Sequence, residues 1–522
     1  MTGIDKRRWW ALAALALSAL VVGLDLFVLN LALPTLGAEL HASSADLQWF
    51  VDAYSLVLAA ALLPAGLLGD SVGRKRLMTG ALAAFGLASL ACAYSTSTAE
   101  LITARAVLGL AAAVILPMTL AMLPVLFTAD ERPKAIAAVG GATFLGYPVG
   151  PILGGWLLDH FWWGSVFLIN VPVVLIAVVA VVTLMPESRG ERRSGFDLTG
   201  TLTSSAGLTL LTYGLIKAGD NGWIDPAAVA TMAAGVVALV AFVAWERRLS
   251  GRALPLVDLA LFRSAGFTWG TVLSTLVSFA LFGVIFAMPQ YFLDVRGLNS
   301  LGGGVRMLPL IGGLALGLGI GQRLQAPRGS GPRISVKVLT AAGFAIMAAA
   351  LAVGASTTVG SSSGFTSAWF AVTGFGLGMA MPTALNTALG ALSAERSGSG
   401  SALITAMRQV GGTIGVAVLG TVLATVYRGQ LHLTGLPAAA ASAVRSGVAG
   451  GVATARAAGS RELLQLVRGA YVHGMDLMLW VCGGIAIGSA LLALAFLPSL
   501  ADDAPSEPGT AEPTQSYSAV AP

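Results

Sequence analysis

Gly66-Leu67-Leu68-Gly69-Asp70-Ser71-Val72-Gly73-Arg74-Lys75-Arg76 joins two apolar stretches, residues 47–69 and 77–95. Each is close to the roughly 20 residues that a membrane-crossing helix requires. The quoted segment therefore reads as a hairpin between two spans. Gly66, Gly69 and Gly73 permit a tight turn, while the Arg74, Lys75 and Arg76 cluster resists entry into hydrocarbon and marks the cytoplasmic side.

The rest of the chain agrees with that reading. Its 522 residues are 56% hydrophobic and only 11% charged, against about 25% charged in an ordinary soluble protein. Mean hydropathy is +0.82. The net charge of +5 does not indicate nucleic acid, because the basic residues lie in short clusters between apolar runs rather than along one face. Cys92 and Cys482 both sit inside apolar runs and read as buried small residues, and His41, His160, His432 and His473 lack ligand spacing. No metal or cofactor is expected, and the chain has no G-x4-G-K-S/T loop for a nucleotide. Without a cluster of polar catalytic side chains, an intramembrane enzyme is disfavoured.

Apolar windows of about 20 residues recur fourteen times, the first over 10–33 and the last over 471–497. An even number of spans returns both termini to one side. The side of the hairpin cluster also carries Lys6, Arg7, Arg8, Arg132, Lys134 and further cations, 20 of the 30 Lys and Arg in all, so both termini are placed in the cytoplasm. The expected architecture is an all-α integral membrane protein: a six-helix bundle over 1–186, a charged linker and two extra helices over 187–260, and a second six-helix bundle over 261–500. An Ala/Gly-rich external loop over 427–470 reads as a partly helical cap, and the tail 501–522 as disordered. Residues 321–333 look like a degraded repeat of the 66–76 hairpin, as expected where two halves arose by duplication.

Charged residues inside apolar spans cost about 2.5–3.5 kcal/mol each on insertion scales and so need a reason. Asp25 lies about fifteen residues into the first span, about 22 Å at 1.5 Å per residue. Asp52 and Arg105 enter from the other side and reach a similar depth. If these spans surround one cavity, Asp25 meets Arg105, whose charge favours an ionised carboxylate against the opposing effect of desolvation. A carboxylate held in that balance suits an exchanger that trades a proton for cargo. A fixed structural pair is the plainer alternative. Asp70 with the Arg74–Arg76 cluster reads as a conformational latch. Arg408 and Gln409 lie about eight residues inside the thirteenth span and suit either a structural partner or a substrate contact. Phe27, Trp49, Tyr54, Tyr147, Phe167, Phe282, Phe286 and Tyr291 are candidates for the aromatic wall of a drug cavity.

The 66–76 segment closely resembles the major facilitator signature G-x-L-x-D-x-x-G-R-K/R, here carried by Gly66, Asp70, Gly73, Arg74 and Lys75. Further motifs stand where that family has them: Leu24 to Pro34 including Asp25 and Asn30, Arg105 with Gly109, and Gly150-Pro151-Ile152-Leu153-Gly154-Gly155. Asn170-Val171-Pro172 and Arg408-Gln409-Val410-Gly411-Gly412 are similar to the fourteen-span drug:proton antiporter branch. The resemblance implies the major facilitator fold and multidrug or antibiotic efflux driven by protons. It implies that the glycine- and proline-rich fifth span, with Gly146, Pro148, Gly150, Pro151, Gly154 and Gly155, seals the two halves against proton leak. The acid in Leu47 to Tyr54 is similar to that of exporters of organic cations. The expectation is thus a monomeric plasma-membrane antiporter whose partners are protons, lipid and hydrophobic, cationic drugs. A dedicated antibiotic self-resistance pump or metabolite exporter is the alternative. One proton entering releases about 2.3 kcal/mol per 100 mV and about 1.36 kcal/mol per pH unit, so no hydrolysis is needed.

Overall fold

The computed structural model describes residues 2–40, 42, 44–128, 130–189, 197–249, 259–325, 334–392, 397–433 and 436–498. The expected tail 501–522 and much of the linker after Arg189 lie outside the described residues. Asn30, Pro148 and Pro151 are described by their helical backbones alone.

The first half consists of α1 (Thr2–Glu39), α2 (Ser44–Val72), α3 (Arg74–Ala93), α4 (Thr98–Leu126), α5 (Arg132–His160), the short α6 (Ser165–Leu168) and α7 (Asn170–Leu184). Here α1 packs along α5, α2 along α4, and α3 between α4 and α7. Arg8 pairs with Glu131 at 2.8 Å and Arg7 donates to the Thr183 carbonyl at 2.6 Å. These bonds fasten the start of α1 at the same end of the bundle as the 66–76 hairpin.

Two helices, α8 (Leu198–Asn221) and α9 (Pro226–Leu249), pack against each other. In addition α8 lies against α2 of the first half and α15 of the second, so the pair stands at the seam. The second half holds α10 (Ala265–Gln290), α11 (Ser300–Val305), α12 (Leu308–Gln325), α13 (Val336–Gly354), α14 (Ser363–Gly390), α15 (Ser397–Gly429), α16 (Ala438–Ser446), α17 (Val448–Ala457) and α18 (Arg461–Phe496). A serine opens α4, α10, α13, α14 and α18: Ser97, Ser264, Ser335, Ser362 and Ser460 each accept the amide three residues on, satisfying a donor the helix cannot. Glycines replace hydrophobic attraction, which lipid weakens, with close backbone approach. Gly313 and Gly317 of α12 face the Ala371 and Phe375 carbonyls of α14, and Gly374 and Gly378 face those of Leu310 and Leu314.

Among the described residues, twelve helical stretches are long and apolar enough to cross a membrane. The expected fourteen included α5 and α8, which have 29 and 24 residues but are not among the twelve. Five side chains of α5, at 133, 144, 147, 148 and 151, lie outside the described residues, and hydroxyls with Lys217 dilute the hydropathy of α8.

The halves meet at the hairpin end. Leu385, Ala388, Leu389 and Leu392 of α14 and its following turn are buried in one core with the first half, as are Ala402, Leu403, Ile404 and Ala406 of α15. Ser401 donates across to the Pro117 carbonyl of α4 at 3.0 Å. At the far end Tyr427 donates to the Val444 and Gly447 carbonyls, holding α16 against α15.

Candidate functional site

The first half buries a compact polar cluster around Asp25. Arg105 Nη1 of α4 meets Asp25 Oδ2 of α1 at 2.5 Å, with the residues only 1% and 3% exposed. Arg105 Nε donates to the Phe50 carbonyl of α2 at 2.8 Å, and its guanidinium lies 4.6 Å from the centre of the Tyr54 ring. The second carboxylate oxygen, Oδ1, accepts from Asn170 Nδ2 at 3.2 Å, and the same nitrogen reaches Ser89 Oγ at 3.4 Å. Asp25 is therefore hydrogen-bonded on both oxygens inside an apolar core, the condition under which an ionised pair persists away from water.

Two close helix crossings bring these groups together. Gly109 of α4 lies against the Tyr54 backbone of α2, one turn along from Arg105, where a side chain would collide with the Tyr54 carbonyl. Gly23 and Gly146 let α1 and α5 touch two residues from Asp25. Asn170 begins α7 just after Ile169 interrupts the helical run.

A second feature lies between the halves: a partly open cavity. Ala19 and Val22 of α1, Leu116, Thr119 and Leu120 of α4, and Val139, Gly140 and Thr143 of α5 form one wall. Ser278 and Phe282 of α10, Met381 and Leu385 of α14, and Thr405, Arg408 and Gln409 of α15 form the other. Arg408 is steadied by its Nε donating to Ser278 Oγ at 3.3 Å. The close approach of α15 to α10 rests on Gly411 beside Thr275, Gly412 against the Phe282 ring and Gly415 against the Phe279 carbonyl.

The hairpin forms the third feature. Asp70 Oδ1 accepts from Arg74 Nη2 at 2.8 Å and Nε at 3.2 Å, both residues buried. The Arg74 amide donates to the Ser188 carbonyl at 2.9 Å, and the Lys75 amide to Glu187 Oε1 at 3.2 Å. Glu187 also stands 3.6 Å from Arg76. The acid facing the hairpin cations thus comes from the segment leaving the same half, and it sits at the N-terminus of α3 where the helix dipole favours a carboxylate.

The structure brings Asp25 and Arg105 together and places Arg408 and Gln409 in the cavity wall. It does not place Asp25, Arg105 or Asp52 among the residues lining that cavity; Asp52 is half-buried on α2. Gly146 meets α1 of its own half, while Gly141, five residues earlier, faces Leu314 of the second half. Of the aromatic candidates whose side chains are described, Phe282 lines the cavity, Tyr54, Phe167 and Tyr291 are core residues, and Trp49 and Phe286 are exposed; the side chains of Phe27 and Tyr147 lie outside the described residues. Phe50, Ser89 and Asn170 had no assigned role in the sequence reading. For Asn170 the available signal was an amide inside an otherwise apolar run; the Phe50 contact runs through its backbone carbonyl, which leaves no mark in sequence.

A helical bundle this apolar, with buried ion pairs at Asp25–Arg105 and Asp70–Arg74 and a central cavity between two halves, defines a multi-pass membrane protein. The chain belongs to the Major Facilitator Superfamily, whose profile matches residues 15–416. It is 33% identical over 506 residues to the tetracenomycin C resistance and export protein of Streptomyces glaucescens, covering 94% of this chain and 92% of that one. Similarity to the multidrug efflux pump LfrA of Mycolicibacterium smegmatis is 33% over 507 residues, covering 95% and 96%. The methyl viologen resistance protein SmvA of Salmonella typhimurium is 31% identical over 441 residues, covering 82% and 85%. Among solved structures, the proton:xylose symporter XylE superposes with a TM-score of 0.59 at 14% identity over 95% of this chain and 97% of that one. The human organic anion transporter MFSD10 gives 0.58 at 14%, covering 94% and 100%. These two likenesses concern the fold.

Proposed function

We propose that the chain is an efflux transporter that exports drug- or antibiotic-like molecules in exchange for protons, by alternating access at the cavity between its halves. The relatives named for resistance and export support efflux. The observation that carries proton coupling is Asp25, an acid buried in mid-helix, held by Arg105 and Asn170, and one helical turn from Val22 at the cavity wall. Protonating Asp25 discharges the pair and frees Arg105; a change of that size can bias the packing of α1 against α4. In this reading Arg408 and Gln409 contact cargo, and Asp70, Gly73 and Arg74 form a latch that favours the state closed at the hairpin end. The α5 glycines and prolines keep α5 tight against α1 and the second half. Counting α5 and α8 as crossings gives fourteen spans, with both termini in the cytoplasm of a cell whose plasma membrane holds the protein.

The test is reconstitution of the purified chain with a pH gradient. Adding an exported drug is expected to move protons, Asp25→Asn to abolish that movement, and Asp25→Glu to restore part of it. Unaltered coupling in a folded Asp25→Asn protein overturns the role of this acid. A narrower range, as the name of the Streptomyces glaucescens relative suggests, predicts transport of one structural class only across a panel of dyes and antibiotics.

A further inference from the structure

The second half gathers cations at the end away from the hairpin. Residues 291–310 and 427–470 hold seven arginines and no lysine, a concentration that the bias of cations toward the hairpin side does not explain. Three of the seven come together where a π-helical turn, Tyr291–Val295, closes α10 and meets α17 and α18. Gly297 follows that turn with a φ of 68°, and a Cβ there would lie 3.4 Å from Arg468 Nη2 and 3.9 Å from Arg456 Nη2. A guanidinium from α17 and one from α18 thus converge on a spot that has no side chain of its own. Arg296 stands beside it, its Nη1 donating to the Val359 and Ser361 carbonyls at 2.9 and 2.6 Å. Its charge bears on Arg468, as does that of Arg456.

This convergence is costly by itself. Among the described residues no hydrogen bond or ion pair engages the side chain of Arg456 or of Arg468, and Arg468 Nε is buried without a partner. Asp294 lies within electrostatic reach of Arg456, and Asp476, two turns beyond Arg468, within reach of Tyr291. Two acids against three guanidiniums leave a positive surplus. Like charges at this range repel, more strongly where water is excluded, and an anion set between them turns that repulsion into attraction. A guanidinium meets the oxygens of a phosphate through paired N–H groups, a reason for arginine rather than lysine. Depth points the same way. Arg456 is exposed, and Arg468 is half-buried just ahead of the apolar run 471–497, the level at which long basic side chains meet lipid headgroups.

We propose that Arg456 and Arg468, with Arg296 behind them, form a binding site for a phosphate oxyanion, whose occupant ties α17 and α18 to the end of α10. The site goes beyond the transport reading and does not depend on it. A lipid headgroup and free phosphate share this chemistry, and the test separates them.

The purified full chain in neutral detergent, with no drug and no gradient, is titrated with dihexanoyl phosphatidylglycerol, dihexanoyl phosphatidylcholine or inorganic phosphate while its thermal midpoint is followed. Phosphatidylglycerol is expected to raise the midpoint saturably and more effectively than phosphatidylcholine. Its half-saturating concentration is expected to rise about tenfold in Arg456→Gln and in Arg468→Gln, and to stay unchanged in Arg445→Gln, which alters an exposed arginine of α16. Protection by inorganic phosphate with the same dependence on the two arginines, and none by either lipid, supports the site and assigns it a free anion. Equal protection by both lipids that all three variants retain is solvation of apolar surface and overturns the proposal, as does protection by none of the three ligands. Should Arg468→Gln fail to fold, Arg456→Gln at the exposed end of α17 decides alone, and an unchanged titration there overturns the site.

Discussion

Gly146 of α5 stands so close to Gly23 of α1 that a methyl group added to it would lie 2.7 Å from the Gly23 carbonyl carbon and 2.7 Å from the Leu24 amide nitrogen. Both neighbours are backbone, which has no rotamer by which to yield. Asp25 follows two residues later, so this crossing fixes how far the carboxylate stands from Arg105.

Gly146→Val is therefore expected to force α1 from α5. The cost is about 1–3 kcal/mol by analogy with overpacked cores, read as a lowered midpoint in thermal denaturation in detergent, together with weakened proton coupling. Gly80→Ala on α3 serves as the control. Its added methyl meets nothing within 4 Å, so it should leave stability unchanged or slightly raised.

The Asp25–Arg105 pair should behave as a unit. Removing one partner strands a buried charge, at a cost of about 3–5 kcal/mol, whereas replacing both does not. Arg105→Gln alone is expected to destabilise more than Asp25→Asn with Arg105→Gln together, as measured by a double-mutant cycle of denaturation midpoints. Additive losses would show that the two groups do not act on each other.

The hairpin makes a graded prediction. Gly73 has a φ of 116°, and a Cβ there would approach Glu187 Oε1 to 2.6 Å. Gly73→Ala should cost about 1–2 kcal/mol from the left-handed backbone alone. Arg74→Ala leaves buried Asp70 without its guanidinium and should both destabilise the protein and slow turnover. Arg76→Ala, whose side chain is largely exposed, should change stability by less than about 1 kcal/mol. Turnover at saturating drug, with thermal midpoints alongside, orders the three; a loss of drug affinity at normal rates would contradict the latch.

Cargo charge has an electrical signature. One proton entering as a neutral drug leaves moves one charge across the membrane, so a potential alone drives transport at about 2.3 kcal/mol per 100 mV. The same exchange with a monocation moves no net charge. A potassium diffusion potential without a pH gradient should therefore power export of a neutral drug and leave one-for-one export of a monocation unchanged. Export of both that ignores the pH gradient as well as the potential contradicts proton coupling.

Much of the fold was legible in the sequence because lipid imposes simple rules. Apolar length, the cations of the hairpin and the spacing of Asp25, Arg105 and Arg408 in apolar runs could all be read one residue at a time. The span count was less secure in α8, where hydroxyls and Lys217 lower hydropathy without ending the helix. The site was only half legible. Asp25 and Arg105 stood out by their cost in hydrocarbon, but the Phe50 carbonyl bond and the stacking of Tyr54 depend on how α2 lies against α4.

The sequence by itself determined that this chain lives in a bilayer, where its hairpins turn and which few charges require partners, since each follows from local composition against the energy of hydrocarbon. Tertiary structure alone decided who meets whom. It turned Asp25 toward Arg105 and Asn170, left Arg408 at the cavity wall and set Glu187 against the hairpin. Residues far apart along the chain become neighbours only when helices cross, and the crossing distance, set by glycines such as Gly23 and Gly146, is a property of two surfaces at once.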